Sequence, residues 1–328
     1  MASDSTRHYL IIRRDNLGDM LLTTPLLAAM KLQLERPYIT VFTNSYAAKV
    51  LAGNPDVDLL AVYTKHKHLS GVKKFSAYAQ KIWVTLKLFL VAYEAIIVFD
   101  NRSLSLAKKL RSQRIIRPAT DPSLPEAQNA WSAGLLIGLR GSPGPTKIYV
   151  DRAVSQAMRH KYRINEALGS QLIIGINISA RRLNQKWPSG YFVELIRLIL
   201  DKFSSANIFL FWAPGNSQSL THPGDDQLAQ QILSDCLSGR LHGMRTESIL
   251  ETVAGLDICH IVITPDGGAL HIAAALKKPV VALFGDSNPQ RWGPWMVPNR
   301  ILIGQDRTVN SITPIQVYEC FCELNCHV

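Results

Sequence analysis

The stretch IVITPDGGALHIAAALKKPVVALFG, residues 261–285, has the pattern of a buried strand, a helix and a second buried strand. Its first strand ends at Thr264, and we expect Asp266 to cap a helix whose first turn contains Gly267 and Gly268. Strands that are apolar throughout and alternate with helices are typical of a parallel sheet covered on both faces. The stretch therefore predicts an α/β fold.

The start of this helix is a candidate anion site. Glycines let a ligand approach the backbone closely, and the amides and dipole of a helix N-terminus favour an anion, most naturally a diphosphate. His271 falls in the second turn of the same helix. An ordinary helix cap beside a packed histidine explains these residues equally well. The dinucleotide fingerprint G-x-G-x-x-G follows none of the candidate strands, which argues against a dinucleotide cofactor.

The alternation of strands and helices runs along most of the chain and restarts once. Strands are predicted at 8–13, 38–43, 58–63, 94–100, 171–178, 207–213, 258–264 and 279–285. A region rich in Pro, Gly and Ser, 117–150, separates the two runs. We therefore predict two doubly wound α/β domains, 1–160 and 161–305, with a helical tail at 306–328. Because ligands of such sheets bind beyond the carboxyl ends of the strands, we expect a cleft between the two domains.

A second informative stretch, RRDNLGDMLLTTP at 13–25, lies where the first predicted strand turns into a helix predicted at 19–34, with an early kink at Pro25. Gly18 and Asp19 sit at that junction. The carboxylate of Asp19 either caps the helix or is directed at a ligand. The residues alone leave both interpretations open.

The charge balance favours anionic partners. The chain of 328 residues carries 36 Lys and Arg against 25 Asp and Glu, a net charge of +11. Phosphates, nucleic acid or an anionic membrane surface fit this excess, and a basic protein without such a partner fits it too. Nucleic acid is disfavoured because no recognition motif is present. The most apolar window, 82–100, is interrupted by Lys87 and Glu94, so we expect a buried helix and a buried strand rather than a bilayer span.

The cysteines and the N-terminus indicate a cytoplasmic protein. No apolar stretch of the length that a signal peptide needs follows the polar N-terminus, and the cysteine count of five is odd. Cys320, Cys322 and Cys326 have a spacing that suggests a metal site. On the helix expected there, however, Cys320 points away from the other two, so we favour reduced thiols and expect no metal.

Three segments together resemble glycosyltransferase family 9, the ADP-heptose:lipopolysaccharide heptosyltransferases and their relatives. They are DGGALHIAAALKKPVVALFG with NPQRWGP after it (266–294), NLGDMLLTTPLLAAMK (16–31) and AGNPDVDLL (52–60). The resemblance covers about residues 8 to 300. It implies a GT-B fold, in which two Rossmann-like domains flank the active site. It also implies an inverting transfer, without a metal or other cofactor, from a nucleotide-activated sugar.

The resemblance also implies roles for individual residues. Asp19 is expected to be the general base that deprotonates the acceptor hydroxyl. The nucleotide-sugar donor is expected to contact Lys186, Asn177, Ser179, Asp266, Gly267, Gly268, Ala269 and His271. Asn177 and Ser179 lie in a loop that reads N-I-S-A, where the family more often has a Pro-Gly-Ala/Thr run. Arg181 and Arg182 either assist there or are solvated.

The acceptor is expected to bind the first domain through Asn16, Gly18, Lys65, Lys67 and Lys73. The last three belong to a basic segment, 65–74, which suits an anionic lipid-linked glycan or lipid head groups, or is simply solvated.

Two acidic pairs, at 56–58 and 225–226, need a separate interpretation. The D-x-D text at 56–58 is not interpreted as a metal site, because two carboxylates alone bind Mg²⁺ poorly. The family's ribose-contacting glutamate does not align with this sequence. Asp225 or Asp226 either replaces it or caps a helix.

The sequence thus predicts a transferase that moves heptose from ADP-heptose to a lipopolysaccharide core-type acceptor, as a peripheral protein at the cytoplasmic face of the inner membrane. A different donor sugar or nucleotide, and a non-catalytic carbohydrate- or membrane-binding relative, are the alternatives.

Overall fold

A computed structural model of the chain describes residues 6–64, 71–165, 168, 171–216 and 224–326, with the side chains of 71–74 excepted. The chain divides into two compact units, Met1–Tyr149 and Val150–Val328. Each unit is an α/β structure built on its own parallel sheet. No helix within the described residues is long and apolar enough to cross a membrane.

The first unit contains a sheet of five parallel strands in the order β3-β2-β1-β4-β5. The strands are β1 Arg7–Ile12, β2 Pro37–Asn44, β3 Leu59–Tyr63, β4 Ala92–Val98 and β5 Arg111–Ile116. Its helices are α1 Leu17–Leu21, α2 Thr24–Gln33, α3 Gly71–Phe89, α4 Asn101–Ala107 and α5 Glu126–Leu136, with a 3₁₀ turn at Ala47–Leu51. The strand order reverses between β1 and β4, and a sheet of this kind binds ligands beyond the carboxyl ends of the strands at such a reversal.

The second unit contains a sheet of six parallel strands in the order β11-β10-β9-β6-β7-β8. The strands are β6 Ile173–Asn177, β7 Asn207–Trp212, β8 Leu241–Arg245, β9 Ile261–Pro265, β10 Val280–Phe284 and β11 Asn299–Ile303. The helices are α6 Arg152–Lys161, α7 Ser189–Lys202, α8 Asp226–Asp235, α9 Ile249–Ile258, α10 Gly268–Ala275, α11 Pro289–Trp292 and α12 Pro314–Asn325. Short 3₁₀ turns occupy Leu183–Gln185, Gln305–Arg307 and Val309–Ser311. Here the order reverses between β6 and β9.

The inner strands of the second sheet are buried along their whole length, as the sequence predicts for a parallel sheet. Every residue of β6, β7, β9 and β10 is buried. Because helices cover both faces of such a strand, all of its side chains are buried and its sequence is apolar throughout rather than alternating.

Of the four edge strands that the structure describes, the sequence analysis predicted β3 but missed the other three. β5 (RSQRII), β8 (LHGMR) and β11 (NRILI) carry charged or polar residues and are partly exposed. Edge strands pair on one side only and can expose polar side chains, so their sequences lack the apolar signal. Strand β8 ends at Arg245, and the helix α9 begins after it, at Ile249.

Two predicted helices of the first unit also differ. The helix expected at 19–34 is broken between α1 and α2, where Pro25 occupies the first turn of a new helix and cannot continue the old one. The helix expected to be buried before β4 is α3, which exposes Ile82, Trp83 and Leu86.

The boundaries of the units differ from those expected. The division falls between Tyr149 and Val150 rather than at 160, because α6 packs against α9 of the second unit. The segment 306–328 is not a separate tail. Its helix α12 packs on α7 and buries Val317, Phe321 and Leu324 in the second core.

Removing a buried ring from α12 tests whether this helix belongs to the core. Phe321 is fully buried and its ring lies 5.4 Å from that of Phe203. We expect Phe321→Ala to lower the free energy of unfolding by about 3–5 kcal/mol, since it leaves a cavity. Urea denaturation measures this, with exposed Glu319→Ala as the control. A loss below about 1 kcal/mol would show that α12 is dispensable.

Candidate active site

A buried arginine organises the carboxyl edge of the first sheet. Arg13 directly follows β1, and its guanidinium donates to Thr23 Oγ1 at 3.0 Å, Asp19 Oδ1 at 3.1 Å and Glu126 Oε1 at 2.5 Å. Its Nε lies 3.7 Å from Asp15 Oδ2. Three carboxylates from α1, α5 and the loop after β1 thus converge on one cation.

The environment of Arg13 keeps it charged. Burial alone lowers the pKa of Arg13, but the carboxylates of Asp19, Glu126 and Asp15 raise it, and the net direction is upward. The ring of Phe99, at the end of β4, stacks 4.2 Å from the guanidinium carbon. Arg13 therefore joins the two strands at which the sheet reverses its order.

Asp19 is held in place from two sides. It occupies the third position of α1, and its Oδ2 accepts a hydrogen bond from the backbone N–H of Asn16 at 3.0 Å while Oδ1 faces Arg13. Asn16 is the cap residue, and Asp19 completes a capping box with it, so the carboxylate also stabilises the start of the helix. The side chain of Asp19 is 13% exposed. A fixed, partly buried carboxylate with limited access to solvent is suited to exchange a proton with a bound ligand.

Asp15 and Glu126 belong to this cluster and were missed by the sequence analysis. Burial raises the pKa of Asp15, and the nearby charges of Asp19, Asp100 and Glu126 add to this, against the opposing effect of Arg13. The ionised form of Asp15 is therefore disfavoured, and protonation becomes easier as the pH falls. The sequence does offer a signal for Asp15, because it is a second carboxylate in the same segment, four residues before Asp19. Glu126 lies 113 residues from Arg13, and no local pattern points to it.

The corresponding edge of the second sheet is built around Asp266. Its Oδ2 accepts from Gln185 Nε2 at 2.9 Å and from Ser287 Oγ at 2.6 Å. The cap of α10 is Gly267 rather than Asp266, in an extended conformation and with no side-chain hydrogen bond. A glycine cap offers no side-chain acceptor to the first-turn amides, which suits an anionic ligand. Gly268 opens the helix.

Two other predicted donor contacts lie on α10 itself. Ala269 follows Gly268 in the first turn and is partly exposed. His271 is buried in the second turn. Ala269 is therefore open to a ligand at the helix start, whereas His271 is packed beneath it.

Asn177 bridges the two strands at which the second sheet reverses. Its Nδ2 donates to Thr264 Oγ1, on β9, and to the carbonyl of Ser179, both at 3.1 Å. Ser179 in turn donates from Oγ to Asp225 Oδ2 at 2.7 Å. A hydrogen bond from Asn177 therefore links the end of β6 to β9, the strand that precedes Asp266.

Lys186 is anchored by a buried carboxylate. Its Nζ lies 2.9 Å from Asp225 Oδ1, and the side chain of Asp225 is only 3% exposed. Asp225 occupies the cap position of α8 but makes no side-chain capping bond, because both of its oxygens are directed to Ser179 and Lys186. An ammonium group has three N–H donors, so Lys186 retains capacity for a ligand.

Asp226 is engaged elsewhere and is not a cap. Its carboxylate accepts from Arg245 Nε at 3.1 Å, Trp212 Nε1 at 2.8 Å and the N–H of Gly215 at 2.9 Å. These hydrogen bonds, that of Arg245 first, lower the pKa of Asp226 to about 2. Asp226 therefore ties the loop after β7 to the end of β8.

The remaining residues that were predicted to contact the acceptor or the donor differ in their positions. Lys65 and Lys67 lie outside the described residues, as does the side chain of Lys73. Gly18 is buried within α1. Arg181 is exposed, and Arg182 pairs with Asp286 at 3.1 Å.

Each carboxylate of the D-x-D pair lies beside a lysine. Asp58 pairs with Lys31 at 2.5 Å, and Asp56 pairs with Lys147 at 3.0 Å. Among the residues that the structure describes, no group of three or more His, Cys, Asp or Glu is placed to hold a metal ion.

Comparison with known proteins agrees with this architecture. The sequence profile of glycosyltransferase family 9 (heptosyltransferase) matches residues 50–313. Lipopolysaccharide heptosyltransferase 3 of Escherichia coli is 25% identical over 303 residues, which cover 85% of this chain and 83% of that protein.

Two solved structures share the fold over nearly the whole chain. The family 9 glycosyl transferase of Veillonella parvula has a TM-score of 0.81 at 18% identity and full coverage of both chains. Heptosyltransferase WaaC of Escherichia coli with ADP has a TM-score of 0.75 at 17% identity, covering 97% of this chain and 99% of that one.

The two parallel-sheet units thus define a glycosyltransferase of the GT-B type. The chain belongs to glycosyltransferase family 9, the heptosyltransferase family.

The Asp226 network gives a pH-dependent stability. In the folded protein the pKa of Asp226 is lowered to about 2, whereas in the unfolded chain it is about 4. The ionised carboxylate therefore stabilises the folded state above about pH 4, and this stabilisation is lost as the pH falls from about 4 to about 2. We expect Asp226→Asn to be less stable than the wild type near neutral pH and equally stable near pH 2. Urea midpoints at both pH values measure this.

Glu247→Gln is the matched control, since Glu247 is the other carboxylate beside Arg245. It should retain the pH dependence of the wild type. If Asp226→Asn is less stable than the wild type by the same amount at neutral and at acidic pH, the lowered pKa of Asp226 is contradicted.

Proposed function

We propose that the protein transfers heptose from ADP-heptose to a lipopolysaccharide core-type acceptor, with inversion at the anomeric carbon, without a metal, and with Asp19 as the general base. The observation that carries the proposal is the position of Asp19. It lies at the reversal point of the first sheet, in the first turn of α1, fixed by Arg13 and the N–H of Asn16. Ligands of doubly wound sheets bind at this kind of position.

The chemical step needs one base and one stabilised leaving group. Asp19 takes the proton of the acceptor hydroxyl as the oxygen attacks the anomeric carbon of the donor. A new C–O bond forms, the bond to the diphosphate breaks, and its electron pair leaves with the nucleoside diphosphate. A single displacement of this kind inverts the configuration and needs no enzyme nucleophile. General-base catalysis of this type contributes roughly 10²–10⁴-fold to a rate.

The leaving diphosphate gains negative charge, and the second unit offers groups to stabilise it. The amides at the start of α10, around Gly267 and Gly268, and the ammonium of Lys186 are the proposed contacts. Asp266, fixed by Gln185 and Ser287, is proposed to hold hydroxyls of the donor sugar. Fixed cations and amides replace a metal in this scheme.

The donor identity is supported by the relatives. Similar proteins are lipopolysaccharide heptosyltransferases, and one solved neighbour contains ADP. One observation favours a second candidate, another nucleotide sugar. Asp225 and Asp226, the acidic residues of the loop in which the ribose contact is expected, are both engaged within the protein. A nucleotide screen separates the two candidates.

The charge distribution supports an anionic acceptor on the first unit. Residues 1–149 contain 20 Lys and Arg against 10 Asp and Glu, a net charge of +10, whereas residues 150–328 contain 16 against 15, a net charge of +1. Phosphorylated or acidic glycans attached to lipid are attracted by such a surface. We accordingly place the reaction at the cytoplasmic face of the inner membrane.

Asp19→Asn tests the base directly. The amide keeps the shape of the side chain but cannot accept the proton, so we expect turnover to fall about 10²–10⁴-fold. Glu126→Gln is the matched control, because Glu126 contacts the same guanidinium nitrogen of Arg13. It should retain turnover within roughly tenfold of the wild type, since it leaves the base intact.

Equal losses in the two variants would contradict the proposal, because they would show that Asp19 acts only through Arg13. Near-full turnover in a folded Asp19→Asn variant would also contradict it. Circular dichroism and thermal unfolding establish that both variants are folded before the rates are compared.

A thermal-shift screen of ADP, UDP, GDP and CMP tests the donor site. We expect selective stabilisation by ADP, of about 2.7 kcal/mol at 100 times the dissociation constant. Lys186→Met should weaken binding about tenfold or more, since it removes a charge-assisted contact. Lys202→Met, at the exposed end of α7, is the control. Each variant is compared with its own ligand-free form.

Preference for another nucleotide would replace ADP in the proposal and keep the transferase. No stabilisation by any of the four, or equal ADP affinity in Lys186→Met, would contradict the donor site described above.

A further inference from the structure

The outer face of α3 carries a row of large apolar side chains that are open to solvent. Phe75 is 76% exposed, Trp83 58% and Leu86 58%. The complete row, called here the α3 stripe, comprises Phe75, Tyr78, Ile82, Trp83 and Leu86 on the helix and Leu90 directly after it. Residues at this spacing lie on one side of a helix. A contiguous exposed apolar surface of this kind marks an interaction site.

The opposite face of α3 already fills the core of the first unit. Ala77 and Leu88 are buried, and Val84 packs against the same cluster as Leu88. The helix therefore has a separate inner face that anchors it to the sheet. The α3 stripe is an additional apolar surface on the other side.

The sequence around the α3 stripe is rich in lysine and lacks acidic residues. No Asp or Glu occurs between Asp58 and Glu94, and this interval contains six lysines. On the helix, Lys87 places Nζ 3.4 Å from the ring centroid of Trp83. A lysine of this kind can bury its stem beside the aromatic ring while its ammonium reaches polar groups.

The neighbouring helix extends this charge. Ala107 and Leu110, at the end of α4, belong to the same core cluster as Leu88, so α3 and α4 cover the same face of the sheet. Three exposed cations lie on or just after α4, namely Arg102, Lys108 and Lys109. Cationic groups therefore border an apolar stripe along one side of the unit that carries nearly all of the net charge.

Apolar and aromatic side chains beside lysines are the combination that an anionic bilayer surface binds. Trp and Tyr favour the interface between head groups and acyl chains, and each nearby Lys or Arg adds attraction to anionic lipid. A second copy of the chain fits less well, because two surfaces of this charge repel each other. The charge complementarity therefore selects lipid as the partner.

We propose that the α3 stripe docks the protein on an anionic lipid bilayer, with α3 lying in the plane of the interface and the flanking lysines contacting phosphate head groups. The proposal rests on the proposed function only in that a lipid-linked acceptor brings the enzyme to a membrane. The helix α3 also has a physical link to the candidate site, through a residue outside the stripe. Lys81 of α3 and Arg14 both contact the ring of Tyr63, and Arg14 lies in the loop that leads to Asp19.

Vesicle co-sedimentation of the full chain, without donor or acceptor, tests the docking. Vesicles in which about a third of the lipid is phosphatidylglycerol are compared with neutral phosphatidylcholine vesicles. We expect binding to the anionic vesicles that is about tenfold or more stronger than to the neutral ones, and weaker at about 0.5 M salt. Trp83→Ser combined with Leu86→Ser should reduce binding about tenfold or more, since it removes the apolar face.

Exposed apolar residues elsewhere supply the matched control. Leu237→Ser combined with Ile303→Ser removes two exposed apolar side chains of the second unit and should leave binding unchanged. Lys87→Gln combined with Lys108→Gln should weaken binding to anionic vesicles only, whereas Lys49→Gln combined with Lys202→Gln should not.

The remaining outcomes overturn the proposal. They are absence of vesicle binding, equal binding by the Trp83/Leu86 variant and the wild type, and a wild-type dimer in sedimentation velocity that the Trp83/Leu86 variant dissolves. The last result would assign the α3 stripe to self-association. Failure of glycosyl transfer leaves this test unaffected, because no substrate is present. Conversely, the Trp83/Leu86 variant should transfer to a water-soluble acceptor at the wild-type rate.

Discussion

The buried guanidinium of Arg13 is the interaction on which the candidate active site depends. A cation this deeply buried is tolerated only when carboxylates and hydrogen bonds compensate its lost hydration. Asp19 and Glu126 supply that compensation from α1 and α5, elements distant in the chain. The same contacts fix the orientation of Asp19, so the electrostatic requirement of the fold also positions the proposed base.

The second unit contains a buried anion, the carboxylate of Asp225, whose lost hydration must likewise be compensated. Asp225 is compensated by Lys186 and by the hydroxyl of Ser179, and Asn177 joins the two strands beside them. The cation of Lys186 and the glycine-capped start of α10 then lie along one edge of the sheet. Each unit thus uses a buried ion pair to hold functional groups at the carboxyl ends of its central strands.

The sequence predicts the centre of each unit well and its periphery poorly. Apolar runs such as β6 and β9 are recognisable because both of their faces are buried, and the positions of Asp19, Lys186 and Asp266 after such strands follow from the motifs. Edge strands such as β5 and β8 carry charges and give no such signal. The contact of Glu126 with Arg13 and the exposure of Trp83 on α3 depend on tertiary packing, which residue spacing does not encode.

The central claim is that one positioned carboxylate acts as a base in a single displacement. The most direct measurement is the anomeric configuration of the newly transferred sugar, read by NMR immediately after transfer from a donor of known configuration. The account predicts complete inversion, because Asp19 deprotonates the acceptor and forms no bond to the sugar. Retention of configuration would contradict it, since retention by double displacement requires a carboxylate that becomes covalently attached to the donor sugar.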